Sequence, residues 1–280
     1  MTTPVPTADA QRKVFIRSSI GDEDEEPRRT ILGRIASTGW VMTVLSLGIM
    51  VGIWELIVVA FSLRVYVLPA PGSVAVAIYD NFGVLMSNLG TTVLEVVEGF
   101  AASIVVGVLV ALLISTSKLA ERLIYPLLVT SQAVPKIALA PVFLTWFGLG
   151  TLPRVVIAGL LAIFPIIINT TVGLVGINKD LIRLAQSAGA SKRRVFWLVK
   201  LPGALPSFFS GLKLGVTLAV VGAVVGEFVG GDTGLGYIVT NAQGNLDMTL
   251  AFAAIVILSA LGVALFYVIE VIEKRFVRWV

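Results

Sequence analysis

Apolar residues in this chain gather into long runs near residues 38–61, 91–115, 123–147, 152–175, 205–229 and 249–272. About 20 apolar residues in helical form cross the roughly 30 Å hydrocarbon core of a bilayer, so the pattern predicts six transmembrane helices. The runs lack the alternation that marks a membrane β-barrel. Shorter elements lie between them. Pro69 and Pro71 force an extended turn, Ser73 is placed to cap a short helix, and residues 74–82 are expected along the outer surface. Pro135 and Pro141 interrupt the third run, and broken helices at membrane depth line a cavity or pack against neighbours. Residues 230–236 are glycine-rich with no basic residue, as suits a tight outer turn.

The fifth run carries Gly211, Gly215, Gly222, Gly226 and Gly230. At about 100° per residue these fall within roughly 100° of arc, one stripe on one face. Such a stripe serves close static packing or a sliding gate. The charged, amphipathic island at residues 180–206 precedes it. Residues 180–188 are helix-compatible, Gly189 suits a helix stop, and Ser191 is a cap for a second short helix at 192–200. Pro202 is expected to end that second helix and turn the chain into the fifth span. Phe196, Trp197 and Val199 on so polar an element give a partner something to grip, or dip into lipid headgroups while Arg193 and Arg194 meet anionic lipid.

Composition agrees with the pattern. With 57% hydrophobic and 14% charged residues and a mean hydropathy of +0.96, the 280-residue chain reads as an integral membrane protein of all-α class. Residues 1–35 are polar and acidic and are expected to form a disordered cytoplasmic tail, and residues 36–280 a transmembrane domain with a core at about 88–276. The first run begins too late, and after too much acid, for a cleaved signal peptide. Of 21 Lys and Arg, only Arg64, Lys136, Arg154 and Lys213 fall outside the segments that are cytoplasmic if the N-terminus is. The positive-inside rule therefore puts both termini and the 180–206 island in the cytoplasm. That distribution, and not nucleic acid, accounts for the net charge of +4. Absence of Cys and His excludes disulfides, thiol nucleophiles and imidazole bases. No Gly-x-x-x-x-Gly-Lys-Ser/Thr phosphate loop occurs in the sequence.

The island resembles the cytoplasmic loop of permease subunits of binding-protein-dependent ABC importers, which reads Glu-Ala-Ala, three residues, Gly, nine residues, then Ile-x-Leu-Pro. Here Arg183 stands at the Glu, Leu184 and Ala185 at the alanines, Gly189 at the Gly, Val199 at the Ile, and Leu201 and Pro202 at the Leu-Pro. The stretch Val134-Pro135-Lys136-Ile137-Ala138-Leu139-Ala140-Pro141, the triplet Trp146-Phe147-Gly148, Val224-Val225-Gly226-Glu227-Phe228 and Gly234-Leu235-Gly236-Tyr237 are similar to the nitrate, sulfonate and taurine branch. The resemblance covers roughly residues 65–275. It implies a bacterial inner-membrane homodimer that moves a small anionic or polar organic solute inward by alternating access. Two ATPase subunits, holding ATP and Mg with no cofactor in this chain, would dock on Arg183, Ala185, Gly189, Ala190, Arg194, Phe196, Trp197, Leu201 and Pro202. An extracytoplasmic solute-binding protein would deliver cargo, and membrane lipid would surround the assembly. The alternative is a channel or secondary transporter that works without an ATPase.

Ionisable side chains within spans are costly and need an account. Lys136 and the carboxylates Glu95 and Glu98 fall at similar depth in the outer half, so an ion pair between them is expected, and a Lys136 that attracts anionic solute is the functional alternative. Gln132, Lys136, Gly222, Gly226 and Glu227 are the candidate pathway residues. Lys213 is expected to snorkel to the inner surface. Glu227 is expected either to gate the outer mouth or to hold the 230–236 loop.

Overall fold

The computed structural model describes residues 39–277, so the expected 1–35 tail lies outside the described residues. Two compact units divide the chain, one ending at Leu56 and the other beginning at Ile57. Helix α1 (Gly39–Ala60) crosses that boundary and has a mean hydropathy of 2.2 over Val41–Ala60. The second unit contains α2 (Pro71–Asp80), α3 (Phe82–Thr116), α4 (Lys118–Gln132), a 3-10 turn (Lys136–Leu139), α5 (Ala140–Phe147), α6 (Thr151–Val175), α7 (Lys179–Ser187), α8 (Lys192–Val195), a π turn (Phe196–Lys200), α9 (Leu201–Gly230), α10 (Leu235–Gly244) and α11 (Met248–Phe276). No strand forms among the described residues.

Helices α1, α3, α6, α9 and α11 are each long and apolar enough to cross a membrane, and α4 with the segment after it makes a sixth span bent by 88°. The bend falls between Gln132 and Lys136, at the first of the two prolines expected to break this run. Pro141 instead sits in the first turn of α5, where its missing N–H costs nothing. Three sequence-derived boundaries shift. Pro71, not Ser73, opens α2, because a proline is pre-set for the first helical position. Helix α10 follows the glycine loop directly, burying Leu235, Ile238, Val239 and Ala242. Pro202 does not end the 192–200 helix: helical backbone runs from Lys192 through Gly230. The π turn makes this possible, since Leu201 N–H bonds to Phe196 O in an i→i−5 step immediately before the residue that lacks an N–H.

The core lies where α6 is packed between α3 and α9, with Val96, Phe100, Ala158, Ala162, Ile166, Leu212, Val216 and Ala223 in one buried cluster. The glycine stripe is what brings α9 so close. A Cβ on Gly222 would lie 2.6 Å from Ala158 Cα, and one on Gly226 would lie 2.9 Å from Arg154 Cα. On the other side of α6, a Cβ on Gly99 would meet Val155 O at 2.7 Å. Ser103 Oγ spans that contact, donating within 2.8 Å of Gly159 O and 2.7 Å of Gly99 O. With backbone against backbone on both faces, the stripe is a packing surface in this conformation.

Candidate functional site

Three groups of polar or exposed side chains stand out on this apolar frame. The first is a cavity of about 320 Å³ at the bend of the third span, lined by Gln132, Lys136, Phe164, Asn169, Leu214 and Leu218 among others. Lys136 is half-buried there. Its Nζ donates to Ser131 O at 3.1 Å and lies 4.4 Å from the centre of the Phe164 ring. A C-terminal carbonyl of α4 and an aromatic face thus hold the ammonium, one by charge-assisted hydrogen bonding and the other by the ring quadrupole. Asn169 and Gln132 put neutral amides on the same cavity, which can donate to or accept from a polar guest.

The second group is a buried polar cluster at the end of the bundle opposite α7. Arg154 is 1% exposed and bridges two carboxylates: its NH1 lies 2.9 Å from Glu95 Oε1 and its NH2 2.7 Å from Asp232 Oδ1. NH1 also reaches Thr233 Oγ1 at 3.2 Å. Beside it, Glu227 accepts from Thr92 Oγ1 at 2.6 Å and from the Gly236 backbone N–H. Leu235 N–H donates to Thr92 Oγ1 at 2.9 Å and Gly234 N–H to Asn88 Oδ1 at 2.8 Å. The first two N–H groups of α10, and that of Gly234 before them, are therefore satisfied by side chains from α3 and α9. Gly234, at φ +103°, has no room for a Cβ, which would collide with the Glu227 carboxylate. Outside the membrane-spanning helices, Asp232 is held below the usual aspartate range by its hydrogen bond from Arg154.

The expected pairing of Lys136 with Glu95 or Glu98 is not made. Arg154 takes Glu95 because its planar fork satisfies two carboxylates at once, which an ammonium does less well. Glu98 lies on the exposed side of α3. Glu227 holds the glycine loop, and Gly222 and Gly226 lie in the α6–α9 contact, so these three are apart from the Lys136 cavity. Lys213 does not simply snorkel: it meets Glu273 of α11 at 2.7 Å with both side chains about one-fifth exposed, 21% and 19%. Sequence reasoning missed the Arg154 hub. The available signal was weak, since an arginine three residues inside a span can snorkel to the interface; it is the burial of Arg154 by packing that requires carboxylate partners.

The third group is the loop of α7, α8 and the π turn. Asn178 Oδ1 caps α7 by accepting from Asp180 N–H at 2.8 Å. At its other end Ala190 N–H returns to Ala185 O at 3.0 Å, and Gly189 takes the left-handed conformation at φ +83° that this closure needs. Ser191 Oγ then accepts from Arg194 N–H at 3.3 Å and starts α8. Arg183, Arg194 and Trp197 are exposed, whereas Ala185, Ala190, Phe196, Leu201 and Pro202 are half-buried. Leu184 at 68% exposed, Leu198 at 70% and Trp197 at 56% present apolar surface beside Arg193 and Arg194. Arg183 makes only an exposed 3.4 Å contact with Asp180, which contributes little.

Residues 103–278, which include the bent span, the glycine stripe and the whole α7–α8 loop, match the model of the family described as binding-protein-dependent transport system inner membrane component. The chain belongs to that family. It is 39% identical over 76% of its length to the formylaminopyrimidine transport permease protein of Halalkalibacterium halodurans, covering 86% of that protein. It is 32% identical to the riboflavin transport system permease protein of Chloroflexus aurantiacus, over 81% of this chain and 85% of that one. A putative aliphatic sulfonates transport permease protein of Bacillus subtilis is 27% identical over 86% of this chain and 88% of its own. This is an ABC importer permease, a multi-pass membrane protein of the branch that its sequence motifs resemble.

Proposed function

We propose that two copies of this permease form the pathway of an importer in which two ATPase subunits dock on the α7–α8 loop and an extracytoplasmic solute-binding protein delivers cargo. ATP and Mg belong to the ATPases. The basic end of the bundle is cytoplasmic and the Arg154 cluster faces outward, so both termini are inside. The observation that carries the coupling role is the loop's construction: a left-handed Gly189 and a capping Ser191 join α7, which presents exposed Leu184, to a helix that starts at Lys192 and is continuous with span-forming α9. A displacement of the loop is thereby passed to α9 as a rigid element. Co-purification with a candidate ATPase is the test. Gly189→Asp, which strains the turn, and deletion of residues 192–200 abolish assembly and ATP-coupled uptake; unchanged assembly in both variants overturns the proposal. Uptake by the permease reconstituted alone, without ATPase or ATP, would establish the channel or secondary-transporter alternative.

For cargo, the Lys136 cavity supports a small solute with an anionic or hydrogen-bond-accepting group. Lys136 supplies the charge, Gln132 and Asn169 the amides, and Phe164 an apolar ring face. Pyrimidine precursors and sulfonates, which relatives are named for, both fit that chemistry.

A further inference from the structure

We propose that the junction of the α8–π-turn segment with the bundle is a binding site for one anionic phospholipid of the inner leaflet, whose headgroup sits on Arg193 and Arg194 and whose acyl chain enters the bundle beneath Phe196 and Trp197. Two cavities meet at Trp197. One, of about 380 Å³, is lined by Ser191, Arg193, Arg194, Trp197 and Leu198. The other, of about 290 Å³, is lined by side chains that include Val108, Leu112, Leu174, Trp197, Leu205 and Phe208, contributed by α3, α6, the π turn and α9. Val108, Leu112, Leu205 and Phe208 are half-buried and Trp197 is exposed, so the apolar cavity opens at the surface.

The pair of cavities has the polarity of a phospholipid, cationic at one end and hydrocarbon at the other. Charge selects the headgroup. Lys192, Arg193 and Arg194 are consecutive and Lys200 follows on the same helix, no acidic residue occurs between Lys192 and Gly226, and among the described residues no carboxylate pairs with any of the four. Basic pockets between helices at the cytoplasmic face attract anionic headgroups, and an indole at the interface sits at headgroup depth. A protein occupant of the basic cavity alone would leave the apolar one unfilled, whereas a lipid fills both. The site rests on the proposed orientation only for naming the inner leaflet; in symmetric bilayers it requires neither that orientation nor an ATPase.

The experiment uses the full-length permease with Trp40, Trp54, Trp146 and Trp279 replaced by Phe, in symmetric nanodiscs of phosphatidylcholine containing one-tenth brominated phosphatidylglycerol or brominated phosphatidylcholine. The brominated anionic lipid quenches Trp197 fluorescence at least threefold more than the brominated zwitterionic lipid. Arg193→Gln with Arg194→Gln removes that difference, Arg193→Lys with Arg194→Lys retains most of it, and Leu112→Trp, read by native mass spectrometry in the otherwise wild-type chain, lowers the fraction carrying a bound phosphatidylglycerol. Equal quenching by the two lipids would mean general membrane contact and overturns the site. So would selectivity that survives the double glutamine variant. If added ATPase abolishes the selective quenching completely at saturation, the surface belongs to the ATPase and not to a resident lipid.

Discussion

Arg154 shows how much one side chain decides. It is fully buried and bridges two carboxylates, so its removal leaves the buried Glu95 carboxyl without its partner. Arg154→Leu is expected to cost about 3–5 kcal/mol, read as a fall in thermal midpoint in detergent. Arg154→Leu combined with Glu95→Leu should recover a large part of that loss. Asp232 titrates at the same hub. Its folded-state pKa lies below the ordinary aspartate value, so its contribution is complete above that ordinary value and is lost as pH falls through the lowered one. Proteolysis or hydrogen exchange in residues 230–236 should therefore rise on acidification in the native chain, and should be raised and less dependent on pH in Asp232→Asn. Similar depth along the sequence makes Glu95 and Glu98 both candidates to pair with Lys136. Which helix faces α3 was not available from periodicity, and α6 brings Arg154 to Glu95.

Among the elements, α9 and its loop were legible in part. The glycine stripe was visible because 3.6-residue periodicity is a property of the chain alone, and it lies against α6 along most of its length, with Gly230 meeting Leu144 of α5. Whether it packs or slides depends on what it meets, and Gly222 meets main chain that cannot yield. Gly222→Ala is expected to destabilise by about 1–3 kcal/mol, with Gly52→Ala, where no atom approaches within 4 Å, as the control that does not destabilise. Continuity of the helix through Pro202 was not legible, because the π turn that absorbs the missing donor is set by the loop's anchorage at both ends. The same anchorage keeps α8 in line with α9. Pro202→Ala should therefore leave helicity unchanged by circular dichroism and change the thermal midpoint by no more than a few degrees.

For the whole molecule, the consequences concern transport. The chain has no cysteine, so single-cysteine labelling maps its sides without background. Ser187→Cys is expected to react with an impermeant maleimide only after the membrane is opened, and Asn245→Cys in intact cells; the reverse pattern would invert the orientation. Lys136→Gln should lower uptake of an anionic solute by roughly ten- to a hundredfold, the worth of one charge-assisted hydrogen bond, and uptake of a neutral analogue much less. Equal losses for both would assign Lys136 to holding the bend through Ser131 and Phe164 and not to the cargo.

By itself the sequence determined membrane residence, helical class, the number of apolar runs, the glycine face and the spacing of the α7–α8 loop. Each of these follows from local periodicity or from the cost of putting polar groups in hydrocarbon. Only the tertiary structure decided that Arg154 and not Lys136 pairs with Glu95, that Glu227 holds the start of α10, and that Lys136 shares a cavity with Gln132 and Asn169. Those partners come from helices far apart in the chain, and which of them meet is fixed by how closely glycine lets α3, α6 and α9 approach.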